Sequence, residues 1–214
     1  MTPFIESVNV GLPRNVPWLG EAVATGIFKT EVHRPVRVSF LNLDGDRQAD
    51  LTVHGGPHKA VYGYPSEHYE YWRAQLRVDE LPWGAFGENL DTAGLLEDDV
   101  YVGDRYVVGS ATFEVTQPRV PCFKLGIKFG DQGMLKRFLQ SRRTGFYFKV
   151  IGEGEVVAGD KIERTARGSI SIADVLRAAY DRPGDPALIT LASQAHALPE
   201  NWRAEFRDRL ARAD

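Results

Sequence analysis

From Asp98 to Arg167 the chain keeps one rhythm: short runs of β-branched and aromatic residues, separated by glycine turns. "DDVYVGDRYVVGSATFEVTQPR" sets Tyr101, Tyr106 to Val108 and Thr112 to Thr116 between Gly-Asp and Gly-Ser turns. "GFYFKVIGEGEVVAGDKIERTAR" adds two or three more strands, with turns at "GEGE" and "AGD". Side chains of this kind fit a pleated, half-buried surface. Many short strands with few helices among them point to a barrel or sandwich rather than a βαβ sheet.

The earlier part of the chain agrees. "FIESVNV" alternates apolar and polar residues and reads as a strand, loop signals follow in "GLPRNVPWLG", and "TGIFKT" and "RPVRVSFLNLDGDRQAD" read as two more strands. "AVYGY" reads as a short buried strand. "PSEHYEYWRAQL" has helical spacing at Tyr64, His68, Tyr71, Trp72 and Leu76, with Pro65 suited to a first turn. "LPWGAFGENLDTAGL" is too interrupted by glycine for a long element, and "GDQGMLKRFLQSRR" suits a short helix. Near residue 168 the strand rhythm stops. Ser171 with Asp174 resembles an N-cap and its partner. Stripes then follow at Val175, Leu176, Ala179 and Tyr180, at Leu188, Leu191, Ala192 and Ala195, and at Trp202, Phe206 and Leu210. The expectation is a mainly β domain over 1–165 and a small three-helix domain over 168–214, whose plainest role is packing or dimerisation.

Composition narrows the function classes. Charged residues make up 26% of the chain and the net charge is -3, which argues against a dedicated nucleic-acid binder. A single cysteine excludes an intrachain disulfide and a several-cysteine zinc site. The N-terminal residues lack a signal-peptide pattern and no window is apolar enough to span a bilayer, so a cytoplasmic protein with no membrane partner is expected. No G-x-G-x-x-G precedes a helix, so no flavin or nicotinamide site is expected. Pyridoxal phosphate binding is not expected either.

Three segments hold the candidate chemistry. In "LTVHGGPHKAVYGY", His54 and His58 have the spacing of a helical metal pair, but Gly55, Gly56 and Pro57 between them will not propagate a helix. A loop whose glycines let the backbone approach a ligand, with Lys59 adding a cation, competes there with a plain turn. In "FGENL", Glu88 and Asn89 bring acceptors and an amide. In "VTQPRVPCFKLG", Cys122 sits on a proline-stiffened loop between Arg119 and Lys124. Cations favour a thiolate, and a thiolate suits a thiophilic metal that arrives with its own ligands. Against this stands a lone cysteine acting as a small hydrophobe.

Taken in order, these three segments resemble the MOSC domain family, named for the C-terminal domain of molybdenum-cofactor sulfurases. The closest likeness is to the stand-alone bacterial type associated with resistance to 6-N-hydroxylaminopurine. The likeness runs from about residue 20 to 165, and the tail resembles the small three-helix domain that accompanies such proteins. It implies a β-barrel-like fold with Cys122 in a pocket, as molybdenum ligand or as carrier of a sulfane sulfur. It also maps the histidine-glycine-glycine motif onto His54, Gly55 and Gly56, and the glutamate-asparagine motif onto Glu88 and Asn89. His58 departs from the acidic residue expected after "HGGP".

The leading expectation is therefore an oxidoreductase that uses molybdenum cofactor (molybdopterin) to reduce N-hydroxylated compounds. Cys122 would be the metal ligand, with Arg119, Lys124 and Lys59 near the pterin phosphate and electrons supplied by a separate reductase. The alternatives are a sulfur carrier with a persulfide on Cys122, and a non-catalytic module binding a purine or a partner through Tyr69 to Trp72. A homodimer is expected. Cys122 should lie at the floor of a pocket, reached by at least one of Arg119 and Lys124, with His54, Gly55 and Asn89 on its walls.

Overall fold

The alternation in "FIESVNV" forms strand β1 (Phe4–Val10), in which both Ile5 and Val8 are buried. Residues three apart on a regular strand face opposite sides, so this needs a slip in register. The pairing supplies it, shifting between Ile5 and Ser7. The structure is a computed structural model and describes residues 2–50 and 55–212.

A hairpin of β2 (Arg14–Trp18) and β3 (Glu21–Thr25) follows, then β4 (Thr30–Glu31), β5 (Val36–Ser39) and β6 (Asn42–Leu43). After a 3-10 turn at Pro57–Lys59 come β7 (Val61–Pro65), helix α1 (His68–Leu76) and β8 (Leu90–Ala93). The dense β region yields β9 (Tyr101–Val102), β10 (Arg105–Val108) and β11 (Ala111–Pro118). Helices α2 (Phe123–Phe129) and α3 (Gly133–Ser141) interrupt it before β12 (Phe146–Gly152), β13 (Gly154–Val156) and β14 (Ile162–Ala166). β15 (Ile170–Ser171) leads into α4 (Ile172–Tyr180), α5 (Pro186–Gln194) and α6 (Glu200–Ala211).

The main sheet has eight strands in the order β14-β10-β11-β12-β7-β8-β1-β4. Every pair in it is antiparallel except β7 with β8. The sheet closes between the start of β1 and the start of β14: Phe4 bridges Lys161, Ile5 N–H donates to Asp160 O at 2.9 Å, and Ile162 N–H donates to Pro3 O at 2.8 Å. The sheet thus curls into a barrel, which removes most of its exposed edge. Barrel residues such as Val102, Phe113 and Phe148 share one buried cluster with Ile172, Leu176, Ile189 and Phe206 of the tail. A second, aromatic cluster of Tyr62, Tyr64, Tyr69, Trp72, Phe86, Leu125 and Phe138 lies under α1, α2 and α3.

The mainly β fold with its helical appendage is as expected, while several local readings change. The stretch read as loop at 11–20 is half strand, since Arg14 to Trp18 pair with Glu21 to Thr25 in a two-stranded sheet. Pro17 is tolerated because this sheet consists of edges only. "TGIFKT" is mostly irregular, with only its first and last residues in strands. Pro65 ends β7, and α1 starts at His68. Leu191 is 40% exposed, so it belongs to the outer face of α5.

Candidate functional site

Strand β11 ends at Pro118, and the chain turns sharply into α2 through "RVPC". Arg119 N–H donates to Gly145 O at 3.2 Å, which turns the Arg119 side chain inward and leaves Val120 outside. Pro121 then stiffens the approach to Cys122, the extended N-cap residue of α2 (φ -114°, ψ 168°), whose carbonyl accepts from Leu125 N–H at 2.9 Å. The loop expected from the sequence is present, and it carries the half-buried thiol up to the first turn of α2.

Arg119 lies beneath this turn, 6% exposed. Its Nη1 donates to Phe86 O, and its guanidinium stacks 4.5 Å from the Tyr62 ring centre and 5.7 Å from that of Phe138. Burial alone would lower its pKa, but the neighbouring Tyr62, Tyr147 and Cys122 outweigh burial and raise it. The cation is therefore fixed. Tyr62 and Tyr147 are cross-strand partners in β7 and β12, with ring centres 5.3 Å apart. Burial raises the Tyr147 pKa, with Arg119 opposing, so its phenol stays protonated.

Asn89 joins three segments of the wall. Its Oδ1 accepts from Tyr62 N–H at 3.1 Å, and its Nδ2 donates to Asp46 Oδ2 at 2.9 Å and to Asn9 O at 3.3 Å. Asp46 Oδ1 in turn faces Lys29 Nζ at 2.5 Å. Burial lowers the Lys29 pKa, with Asp46 pulling the other way. Burial also lowers that of Lys59, opposed by Cys122.

These residues enclose one cleft of about 650 Å³, part of it open to solvent. Of the sequence candidates, Gly55, Lys59, Asn89, Arg119, Cys122 and Lys124 all line it. Glu88 and Gly56 do not. Glu88 points into the aromatic cluster, where it accepts from Tyr69 Oη and from Phe86 N–H. Gly56 caps the 3-10 turn with φ 80°. His54 lies outside the described residues. Two glycines let the walls approach: a Cβ at Gly26 would stand 2.3 Å from Arg47 O, and one at Gly87 (φ +83°) 2.6 Å from Ile27 Cγ1. Lys29, Arg47, Gln48, Tyr62 and Tyr147 also line the cleft and escaped the sequence reading. Nothing in the sequence marked the tyrosines or Lys29 as neighbours of the thiol.

The cleft thus carries a thiol and five cationic side chains, Lys29, Arg47, Lys59, Arg119 and Lys124, with no Asp or Glu among its described lining residues. Among the described residues no group of three or more His, Cys, Asp and Glu is placed to hold a bare metal ion. A model of the MOSC domain matches residues 50–163, and a model of the YiiM-like, 3-alpha helix domain matches residues 170–213. The chain belongs to the MOSC domain family.

Among MOSC relatives, YflK of Bacillus subtilis (strain 168) is 43% identical over 210 residues, covering 95% of this chain and 94% of that protein. The crystal structure of YiiM from Geobacillus stearothermophilus superposes with a TM-score of 0.81 at 36% identity, covering 97% of this chain and 99% of that one. A Gibberella moniliformis (strain M3125 / FGSC 7600) protein named Reductase is 36% identical over 152 residues, which are 70% of this chain and 27% of that protein. All three segments singled out in the sequence lie within the MOSC match or at its border.

Proposed function

We propose that this MOSC protein binds molybdenum cofactor and uses it to reduce N-hydroxylated compounds, hydroxylaminopurines among them. The observation that supports this reading is the make-up of the cleft, which is lined by a half-buried thiol and five cationic residues with no Asp or Glu among the described lining residues. The residues fit the group. One thiol and no protein cage suit a metal that brings its other ligands, and the cations suit a phosphate of charge about -2 near neutral pH. When bound, the cofactor supplies the two-electron chemistry that breaks an N–O bond.

Cys122 would ligate the metal. Lys59 and Lys124, with the backbone at Gly55, would bind the phosphate. Arg119 cannot swing away, because aromatic faces and the Phe86 carbonyl hold it, so it offers a fixed charge to an anionic group. The electrons would come from a separate reductase. The Gibberella relative supports this, since a protein named Reductase devotes only 27% of its length to the part that this chain resembles.

The test is the molybdenum and pterin content of protein made in a cofactor-competent host. Wild type should carry both in stoichiometric amount, and Cys122→Ala should lose the metal. Reductase-active protein without molybdenum would end this reading.

A further inference from the structure

Lys29 stands apart from the other cations of the cleft in how it is held. Its Nζ is 2.5 Å from Asp46 Oδ1, and the two side chains are 8% and 0% exposed. Burying such a pair is expensive. Asp46 does not depend on Lys29 alone: Gly11 N–H donates to Oδ1 at 3.0 Å, and Asn89 Nδ2 donates to Oδ2 at 2.9 Å. If Lys29 gave up a proton, Asp46 would remain a satisfied carboxylate. Lys29 lines the same cleft as Cys122. Asp46 and Glu88 favour its ammonium and Arg119 opposes it, while Arg47, Lys59 and Lys124 are the other cations of the cleft. Burial is the largest influence and makes Lys29 a stronger acid than a solvated lysine.

We propose that Lys29 is the proton donor of the cleft, delivering a proton to the hydroxyl that leaves an N-hydroxylated substrate, with Asp46 as its positioning residue. This rests on the reductase reading above. The balance is R–NHOH plus two electrons and two protons giving R–NH2 and water. The N–O bond breaks, nitrogen is reduced, and the reductase is oxidised. One proton passes from Lys29 Nζ to the departing oxygen, and the other reaches nitrogen from solvent. Lys29 is then recharged from solvent through the open side of the cleft.

Two measurements test it. In cofactor-free protein, pH-dependent acetylation with acetic anhydride, read by peptide mass spectrometry, should give Lys29 a lower midpoint than exposed Lys136, and Asp46→Asn should lower it further. In loaded protein with dithionite as reductant, Lys29→Gln and Lys29→Arg should keep their molybdenum yet lose about a hundredfold in turnover, the scale of a general acid. Lys29→Gln should also lose the alkaline limb of the pH profile. Lys29→Arg separates charge from acidity, since a guanidinium does not give up its proton. Full turnover in Lys29→Arg would make the role electrostatic and overturn the proposal. Loss of molybdenum in Lys29→Gln would make Lys29 a cofactor anchor, and a midpoint equal to that of Lys136 would remove the acid, each overturning it too. Wild type without molybdenum overturns both readings, whereas wild type with molybdenum and unimpaired variants overturns this one alone.

Discussion

Asp91 and Glu88 have no exposed surface, and Asp91 lies within hydrogen-bonding reach of Glu88. Asp91 Oδ2 accepts from Asn9 Nδ2 at 2.7 Å, while Oδ1 has no donor among the described residues. Burial, and then the Glu88 charge, raise the Asp91 pKa well above the ordinary carboxylate value. A proton on Oδ1, donated to Glu88, explains both facts. The folded protein then holds this proton more tightly than the unfolded chain, whose value is about 3.9. The resulting stability is full below that value and is lost as pH rises toward the folded pKa. Asp91→Asn supplies the same donor permanently. In denaturant melts it should match wild type near pH 4 and gain on it as pH rises to 8. Parallel curves would sink the shared proton. Asp91→Ala strands Asn9 and Glu88 and should cost about 2 kcal/mol. At this scale sequence reading found Gly55, Lys59, Asn89, Arg119, Cys122 and Lys124 from short motifs. Lys29 was illegible because its partner Asp46 meets it only through the fold. Glu88 stands beside Asn89 in the chain, yet its carboxylate turns into the aromatic cluster while the Asn89 amide joins the cleft wall, a divergence that only the folded loop sets.

Helix α4 shows what one element can carry in its own sequence. Ser171 Oγ accepts from Asp174 N–H at 3.0 Å, as the cap reading expects. The reciprocal half is absent, because Asp174 Oδ1 accepts from Arg177 Nη1 at 2.6 Å. Ser171→Ala should therefore cost about 1 kcal/mol, and Asp174→Ala less, since its ion pair with Arg177 is exposed. Thermal melts of the two variants decide, and an equal loss would mean that the carboxylate does part of the capping. Helix α2 shows the opposite case. Its seven residues, "FKLGIKF", contain Gly126 and lack a side-chain cap. So short a segment is unstable alone. It exists because Leu125 enters the aromatic cluster and Ile127 is buried, contacts fixed by residues far away in sequence. The hairpin β2–β3 was missed for a related reason: its proline resembles a loop signal, and only pairing on an edge sheet makes it a strand.

For the whole molecule, the change of rhythm near residue 168 marks a change of secondary structure without a break in the core. Ile172, Val175, Leu176 and Ala178 are buried in the same cluster as Val102, Phe113 and Val115 of the barrel. Further ties cross the same seam: Ile172 N–H donates to Val100 O at 2.8 Å, β15 pairs with β9, and Arg142 Nη2 lies 2.7 Å from Asp181 Oδ1. Removing the tail would uncover the apolar side of β9 and β11, and an uncovered patch of that kind promotes unfolding or association. The barrel and tail should therefore unfold together. Calorimetry on the full chain should show one transition with equal calorimetric and van't Hoff enthalpies. Leu176→Ala, a cavity at the seam, should lower that single transition by about 2–5 kcal/mol without splitting it. Two resolved transitions, with Leu176→Ala shifting only the one that belongs to the tail, would show that the shared cluster does not couple the two parts.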